Sequence, residues 1–267
     1  MDILSVHNNR VKQWAALRDR KYRDRENKYI IEGIHLVQEA LTYSVPMETL
    51  IFSLDRGLPD DVSQHLQAGV ELIGVSEAVL AKICDTISPQ AVVAIMHKSK
   101  TEVKDILDHH RSLVMVIDGI QDPGNLGTII RSADAVGASA VLLGKGTVDL
   151  YNAKTIRATM GSMYHLAIAE CDLNAILPLA KLQGVQVMST RIEQSVSCYD
   201  ADFTKDTWII VGNEGQGVSR NIAQYADLFL HIPMLGKAES LNVAMASTVL
   251  LFEAMRQRRV HKGVLVE

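Results

Sequence analysis

The N-terminal part of the chain alternates short apolar runs with segments whose apolar positions recur at helical spacing. The apolar runs are 29–31, 49–53, 70–73 and 91–96, and the helical segments are 34–43, 60–67 and one that starts at Ser76. Short apolar runs bounded by polar turns are typical of β-strands, whereas an apolar period of about 3.6 residues is typical of helices. This alternation predicts a small α/β domain.

A second alternation starts at Leu113 and continues nearly to the end of the chain. Its apolar runs are 113–117, 138–143, 166–168, 185–188, 208–211 and 228–232, and a helix is expected from about Leu241 to Arg259. Strands that are apolar on both faces and separated by helices are typical of parallel sheets. The pattern therefore predicts a second α/β domain with a mostly parallel sheet.

Between the two alternations, residues 98–111 are strongly polar and keep only Val103, Ile106 and Leu107 as apolar anchors. Such a stretch is typical of a linker or a short connecting helix. The length of 267 residues agrees with two domains of roughly 150 residues each. We predict an N-terminal domain over 1–100, a linker over 101–111 and a C-terminal domain over 112–267.

Composition narrows the class of protein. Apolar residues make up 48% of the chain and charged residues 22%, as in ordinary globular proteins, and the net charge of -4 excludes a generally basic nucleic-acid coat. Cys84, Cys171 and Cys198 form no CxxC pair, which argues against a disulfide framework or a zinc ribbon. No signal peptide is evident, and no apolar run approaches the roughly 18 residues of a membrane span. We expect a cytoplasmic protein that is not embedded in a membrane.

One stretch is basic, although the chain as a whole has a negative net charge. Residues 10–28 contain eight basic and three acidic side chains, a net charge of +5. Apolar residues at positions 11, 14, 15 and 17 recur at helical spacing, so we predict one amphipathic helix with the charges on its polar face. The bases expected to contact RNA phosphates are Arg18, Lys21, Arg23 and Arg25. The alternative is a helix face that is merely solvated.

Three polar, glycine-rich segments, 118–131, 211–218 and 232–243, each follow a predicted strand. Ligand sites of open α/β sheets collect at the carboxyl ends of the strands. We therefore expect the three segments to contribute to one site.

Two side chains in these segments are expected to cap helices. Asn125 follows the turn 122–124 and is expected to cap the helix after it, and Ser240 is expected to cap the last helix. The segment 212–217 has the wrong glycine spacing for a dinucleotide fingerprint, and the chain contains no P-loop or HExxH motif. The common nucleotide-binding and metalloprotease classes are thereby disfavoured.

Taken in order, the three segments resemble the motifs of the SpoU (TrmH-like) RNA 2'-O-ribose methyltransferases of the SPOUT superfamily. The matching stretches are Asp122-Pro-Gly-Asn-Leu-Gly-Thr-Ile-Ile-Arg131, Val211-Gly-Asn-Glu-Gly-Gln-Gly217, and Ile232-Pro-Met with Glu239-Ser-Leu-Asn-Val243. The resemblance covers about Leu113 to Arg259. The stretch from Arg20 to Gly33 resembles the substrate-binding domain that is often fused ahead of this one.

The resemblance implies a C-terminal trefoil knot, S-adenosylmethionine as cofactor, and a homodimer whose active site draws on both subunits. It also implies methylation of a ribose 2'-hydroxyl, with ribosomal RNA as the expected substrate because of the N-terminal domain. The residues implied to contact the cofactor are Thr190, Gly212, Ile232 and Leu241. Those implied to form the catalytic surround are Asn125, Arg131, Glu214, Ser240 and Asn242, and no metal is required.

The resemblance casts Arg131 as the group that activates the hydroxyl, but a guanidinium with a pKa above about 12 is a poor base. We expect Arg131 to hold the adjacent phosphate and to stabilise the developing alkoxide, while Glu214 or a phosphate oxygen takes the proton or orients Arg131. Two alternatives stay open. One is a tRNA 2'-O-methyltransferase, and the other is a catalytically silent RNA-binding module of ribosome assembly.

Overall fold

The computed structural model describes residues 2–66, 68–107 and 112–261. The chain divides into two compact units, one formed by Met1–Lys100 with Asp149–His165 and the other by Thr101–Val148 with Leu166–Glu267. The first passage between the units falls at the start of the expected linker. The segment 149–165 departs from the expected contiguous division, because Ile156 packs in a hydrophobic core of the first unit.

The strands form two sheets. The four-stranded sheet of the first unit contains β1 (Lys28–Glu32), β2 (Met47–Ser53), β3 (Glu71–Val75) and β4 (Val92–His97). The seven-stranded sheet of the second unit contains β5 (Leu113–Asp118), β6 (Ala140–Leu143), β7 (Ala167–Glu170), β8 (Gln186–Thr190), β9 (Val196–Ser197), β10 (Thr207–Gly212) and β11 (Leu228–His231). The strand orders are β1-β4-β2-β3 and β7-β6-β5-β10-β8-β11-β9.

The pairing of the strands confirms the mostly parallel sheet, since all described pairings between the seven strands of the second unit are parallel. In the first unit β4 runs antiparallel to β1 and β2, while β2 and β3 are parallel. Strands β5 and β10 are buried almost throughout, which explains their apolar sequences. Because parallel strands end at the same edge, the three motif segments follow strands at one edge of the sheet. The trefoil knot stays a prediction.

Eleven α-helices are described. They are α1 (Asn9–Ala16), α2 (Arg20–Glu26), α3 (Ile34–Thr42), α4 (Asp60–Ser63), α5 (Glu77–Ile83), α6 (Val103–Leu107), α7 (Pro123–Ala135), α8 (Ala153–Thr159), α9 (Leu173–Leu182), α10 (Arg220–Ala223) and α11 (Val243–His261). Helices α1 to α5 and α8 lie in the first unit. Within the described ranges no helix combines the length and the hydropathy needed to cross a membrane.

The single amphipathic helix predicted over the basic stretch is wrong, because this stretch forms α1 and α2. The break falls at Asp19, whose carboxylate accepts a hydrogen bond of 2.8 Å from the backbone N–H of Lys21 and so caps α2. The apolar residues Val11, Trp14 and Leu17 are buried in a core of the first unit, as their spacing indicates. An aspartate inside a helical pattern was the signal for the second helix start.

Candidate active site

A cleft of about 1210 Å³ lies in the second unit, among the segments that follow β8, β10 and β11 and the start of α11. It brings together most of the site residues named from the sequence: Thr190, Gly212, Glu214, Ile232, Ser240, Leu241 and Asn242 all line it. Asn125 and Arg131 are absent from the lining. The position of the cleft agrees with the general placement of ligand sites at the carboxyl ends of parallel strands.

The loop after β10 is closed on itself. The backbone N–H groups of Asn213 and Gly217 each donate to the other residue's carbonyl, at 3.0 and 2.9 Å. The Asn213 side-chain oxygen also accepts from the backbone of Gly215 and Gln216, at 2.9 and 3.1 Å. A Cβ atom at Gly212 would overlap the backbone of Gly217, so the loop can fold back only over a glycine.

Two contacts fix this loop to the end of β5. The Asn213 amide donates to the carbonyl of Gly119 at 3.0 Å. The backbone N–H and the hydroxyl of Ser219 both donate to one carboxylate oxygen of Asp118, at 2.7 Å each. The sequence reasoning missed Asp118 and Asn213. An asparagine in a glycine-rich loop is the residue type that builds such turns, and that was the available signal.

One hydrogen-bond network joins the three motif segments. The Asn125 amide donates to the carboxylate of Glu214 at 3.0 Å, and the Asn242 amide donates to the side-chain oxygen of Asn125 at 3.0 Å. The backbone N–H groups of Gln121 and Asp122 also donate to the Glu214 carboxylate, each at 3.3 Å. The three side chains therefore form one assembly, although more than a hundred positions separate Asn125 from Asn242.

The surroundings of Glu214 lower the pKa of its carboxyl group. Partial burial acts in the opposite direction and is the largest single influence, but the hydrogen bonds from Asn125 and from backbone N–H groups outweigh it together. The carboxylate is therefore ionised at neutral pH. A lowered pKa also makes Glu214 a weaker base than an ordinary glutamate.

Both helix caps expected in these segments are wrong. Helix α7 is capped by Asp122, whose carboxylate accepts from the backbone N–H of Asn125 at 2.9 Å. Helix α11 begins at Val243, where the Asn242 side chain accepts from the N–H of Ala244 at 2.9 Å. In each case the cap lies at the residue next to the helix start, which leaves the Asn125 side chain free to reach Glu214.

Arg131 lies on α7 with its side chain exposed. Within the part of the chain that the structure describes, its guanidinium makes no hydrogen bond or ion pair. The neighbouring Ser132 contacts Thr248 of α11 at 2.7 Å between the two hydroxyl oxygens. Arg131 is thus presented beside the α7–α11 contact without reaching into the cleft of its own chain.

Arg23 does not fit the RNA-binding role expected for it, because it is only 4% exposed. Its Nε atom donates to the Asp149 carboxylate at 3.0 Å, and its Nη1 atom donates to the carbonyls of Leu17 and Arg18, at 2.8 Å each. The ion pair to Asp149 is buried as well. Arg23 holds the first unit together and is unavailable to a phosphate.

The other three bases of the expected RNA surface are exposed. Arg18 lies 3.7 Å from a carboxylate oxygen of Asp85. Arg25 pairs with Glu26 at 2.8 Å, and its guanidinium lies over the ring of Tyr22 at 4.6 Å. Exposed pairs of this kind are worth roughly 0–1 kcal/mol, so a polyanion can displace them.

The cleft also holds side chains that the sequence reasoning did not single out, among them Ser189, Arg191 and Arg220. The Ser189 hydroxyl is buried and has no hydrogen-bond partner in the described structure. A buried polar group without a partner is unfavourable unless a ligand or water satisfies it. No group of three or more described His, Cys, Asp or Glu residues is arranged to hold a metal ion.

Comparison with known proteins identifies the architecture. Residues 112–252 match the SpoU rRNA methylase family model, and residues 8–94 match the MRM3-like substrate binding domain. The 23S rRNA (guanosine(2553)-2'-O)-methyltransferase RlmP of Bacillus subtilis (strain 168) is 36% identical over 94% of this chain and 97% of its own length. The 23S rRNA (uridine(2479)-2'-O)-methyltransferase of Streptomyces viridochromogenes is 29% identical over 96% of this chain and 92% of its own.

Solved structures of rRNA methyltransferases are also similar to this chain. The AdoMet-bound rRNA methyltransferase from Sinorhizobium meliloti superimposes with a TM-score of 0.88 at 34% identity, covering 100% of this chain and 99% of that one. The parallel sheet, the connected motif segments and the matches over both units lead to one conclusion. The chain belongs to the SpoU rRNA methylase family.

Proposed function

We propose that the protein transfers a methyl group from S-adenosylmethionine to a ribose 2'-hydroxyl of ribosomal RNA. The network that joins Glu214, Asn125 and Asn242 at the cleft carries the proposal. It is supported by relatives that bear rRNA 2'-O-methyltransferase names across nearly the whole chain. It is also supported by an AdoMet-bound structural neighbour.

The cleft fits S-adenosylmethionine. Its volume of about 1210 Å³ exceeds the usual range of small-molecule pockets, so it can hold the cofactor and also admit a nucleotide. Apolar side chains such as Ile232 and Leu241 suit the adenine ring, and the unsatisfied Ser189 hydroxyl can bond to a polar group of the ligand. Thr190 and the backbone at Gly212 would complete the cofactor contacts. When bound, the cofactor supplies a methyl group on a sulfonium.

The side chains contribute positioning and electrostatics. Holding the attacking oxygen in line with the methyl group lowers the barrier by as much as about 7–11 kcal/mol. Arg131 binds the neighbouring phosphate and stabilises the developing alkoxide. The Glu214 carboxylate already accepts hydrogen bonds from Asn125 and from two backbone N–H groups, so we infer that it orients Asn125 and, through Asn125, Asn242. The proton of the hydroxyl then passes to a phosphate oxygen or to solvent water. Ser240 lines the same cleft and would be the fifth residue around the reacting groups.

The two alternatives are less well supported. A silent module has no need of an ionised carboxylate that is held by Asn125, which is itself held by Asn242, and both contacts are present here. A tRNA substrate is disfavoured because relatives that match nearly the whole chain, including its N-terminal part, bear 23S rRNA methyltransferase names. We place the protein in the cytoplasm, where its three free cysteines stay reduced.

The function is tested by incubating the purified protein with labelled S-adenosylmethionine and RNA from a strain that lacks the gene. We expect one labelled ribose methyl group in ribosomal RNA and none in tRNA. It should be detected as one phosphodiester bond that alkaline hydrolysis does not cleave. Cofactor binding without transfer to any RNA would support the silent module, and methylation of tRNA alone would support the other alternative.

We further propose that the protein is a homodimer that pairs through α11. Met245 and Phe252 are 56% and 44% exposed, and the half-buried Val249 lies between them at helical spacing. An apolar stripe of this kind is typical of a helix that packs against a partner. Arg131, exposed beside α11 and absent from its own cleft, would then serve the cleft of the other subunit.

Replacing Met245 and Phe252 with glutamate should convert the protein to a monomer, because the apolar stripe would acquire like charges on both subunits. Methyl transfer should be lost while each subunit stays folded, which circular dichroism measures. Light scattering at micromolar concentration measures the mass. Leu182→Glu on α9, at an even more exposed leucine (83%), is the control and should stay dimeric. A monomeric parent would contradict the proposal.

We propose that the exposed bases of the first unit capture RNA. Replacing Arg18, Lys21 and Arg25 together by neutral residues should weaken RNA binding. The slope of log binding constant against log salt concentration should become less steep by roughly 0.7–0.9 for each phosphate that is no longer neutralised. The affinity for S-adenosylmethionine should not change, since the cleft lies in the other unit. The measurement is a salt titration of RNA binding by parent and variant on the same RNA. Equal slopes would mean that these side chains are only solvated and do not contact RNA phosphates.

A further inference from the structure

Arg220 is a basic residue of the cleft that takes no part in the hydrogen-bond network of Glu214. It lies on α10, directly after the loop that carries Glu214, and it lines the same cleft. Its side chain is exposed, and over the described residues its guanidinium forms no hydrogen bond or ion pair. The other cleft arginine, Arg191, is occupied, because it donates to Gln194 at 3.1 Å and lies over the Phe229 ring at 4.9 Å.

The backbone that carries Arg220 is fixed from two sides. Ser219 is held by its two hydrogen bonds to Asp118 at the end of β5. The carbonyl of Ser219 accepts from the N–H groups of Ile222 and Ala223, at 3.0 and 2.8 Å, and Ile222 is buried in the core of the second unit. The guanidinium therefore projects from a rigid point beside the cleft.

The charge around Arg220 defines the ligand that it would bind. Glu193, Glu214 and Glu239 line the cleft, and the chain as a whole carries a net charge of -4. A polyanion approaching this surface needs a local cation, and a free guanidinium can form paired, charge-assisted hydrogen bonds to a phosphate. Arg220 meets both conditions, since it lines the cleft and its side chain is exposed.

We propose that Arg220 binds a backbone phosphate of the substrate RNA next to the target ribose, within the subunit that holds the cofactor. This inference rests on the proposed function. Arg131 and Arg220 would then hold RNA from two sides of one cleft, the first from the partner subunit and the second from the subunit itself. The carboxylate of the cofactor is another anion that a guanidinium in this cleft would bind, and the test distinguishes the two.

Arg220→Ala should raise the KM for the ribosomal RNA substrate by about ten- to a hundredfold, the loss expected for one charge-assisted contact. The turnover number should stay within about twofold of the parent, because a contact made equally in ground and transition states changes KM alone. The salt slope of RNA binding should fall by roughly 0.7–0.9. The unfolding temperature should not change, since the side chain has no protein partner to lose.

Two further variants sharpen the result. Arg220→Lys should recover part of the RNA affinity, since an ammonium keeps the charge but loses the paired geometry. Lys104→Ala removes the same charge from α6, outside the cleft, and should leave the RNA KM unchanged.

The outcomes are separable. If the parent methylates ribosomal RNA and Arg220→Ala does so with an unchanged KM and salt slope, the inference on Arg220 is wrong while the function stands. If the variant loses affinity for S-adenosylmethionine in calorimetry and keeps its RNA affinity, Arg220 holds the cofactor and the RNA assignment is overturned. A parent that transfers no methyl group to RNA overturns the function itself.

Discussion

Arg131→Ala should reduce methyl transfer by about 10²- to 10³-fold or more, the usual cost of removing one preorganised charge from a transition state. Binding of S-adenosylmethionine should persist, because Arg131 does not line the cleft of its own chain and is assigned to an RNA phosphate in the cleft of the other subunit. The fold should persist as well, because this exposed side chain has no partner in the described structure. Single-turnover transfer, calorimetric cofactor binding and thermal unfolding measure the three effects.

Arg131→Lys provides the matched control for charge. It should also transfer slowly, because a point charge cannot reproduce two parallel donors to a phosphate. Mixing Arg131→Ala subunits with Ile232→Trp subunits, whose clefts are filled, should restore a measurable fraction of the activity if Arg131 acts across the dimer. Near-normal turnover of Arg131→Ala in single-turnover assays would remove it from the active site.

Arg23→Ala should destabilise the protein by about 3–5 kcal/mol, the range for removing one partner of a buried ion pair. The side chains of Arg23 and Asp149 are only 5% and 8% exposed, so Asp149 would be left charged without a partner. Two backbone carbonyls would lose their donor as well. Urea unfolding, followed through the transition of the first unit, measures the loss.

Arg25→Ala is the control for this variant. It removes the same charge from the same helix, but the Arg25 side chain is 60% exposed and should change the stability by less than about 1 kcal/mol. The RNA affinity of Arg25→Ala should fall although the variant stays folded. In Arg23→Ala, RNA binding should decrease only in proportion to the fraction of protein that is unfolded. Equal stability of the two variants would show that the buried pair is unimportant.

Most of the fold could be predicted from the sequence because its strands are short apolar runs and its helices carry a clear period. Each predicted run overlaps a strand, from 29–31 in β1 to 228–232 in β11. The parallel sheet was predictable for the same reason, since strands such as β10 are buried on both faces. Most of the predicted cleft residues belong to the second and third motifs, whereas Asn125 and Arg131 of the first motif do not line the cleft.

What could not be predicted depends on distant contacts. Arg23 has the same local sequence character as Arg25, and only the pairing with Asp149, 126 positions away, buries it. The helix caps were misplaced because several polar residues near each start can accept the same N–H groups, and tertiary contacts decide among them. Arg220 was overlooked because an arginine at the start of a short helix carries no signal of its own.

The return of residues 149–165 to the first unit bears on how the protein can be dissected. A fragment that ends at residue 100 would lack Asp149, and it would expose the part of its core that Ile156 covers. The complementary fragment would carry that segment with its apolar side chains unburied. Separate expression of the two halves would thus yield two damaged proteins, whereas a fusion that joins residues 1–100 to 149–165 through a short linker preserves the natural unit.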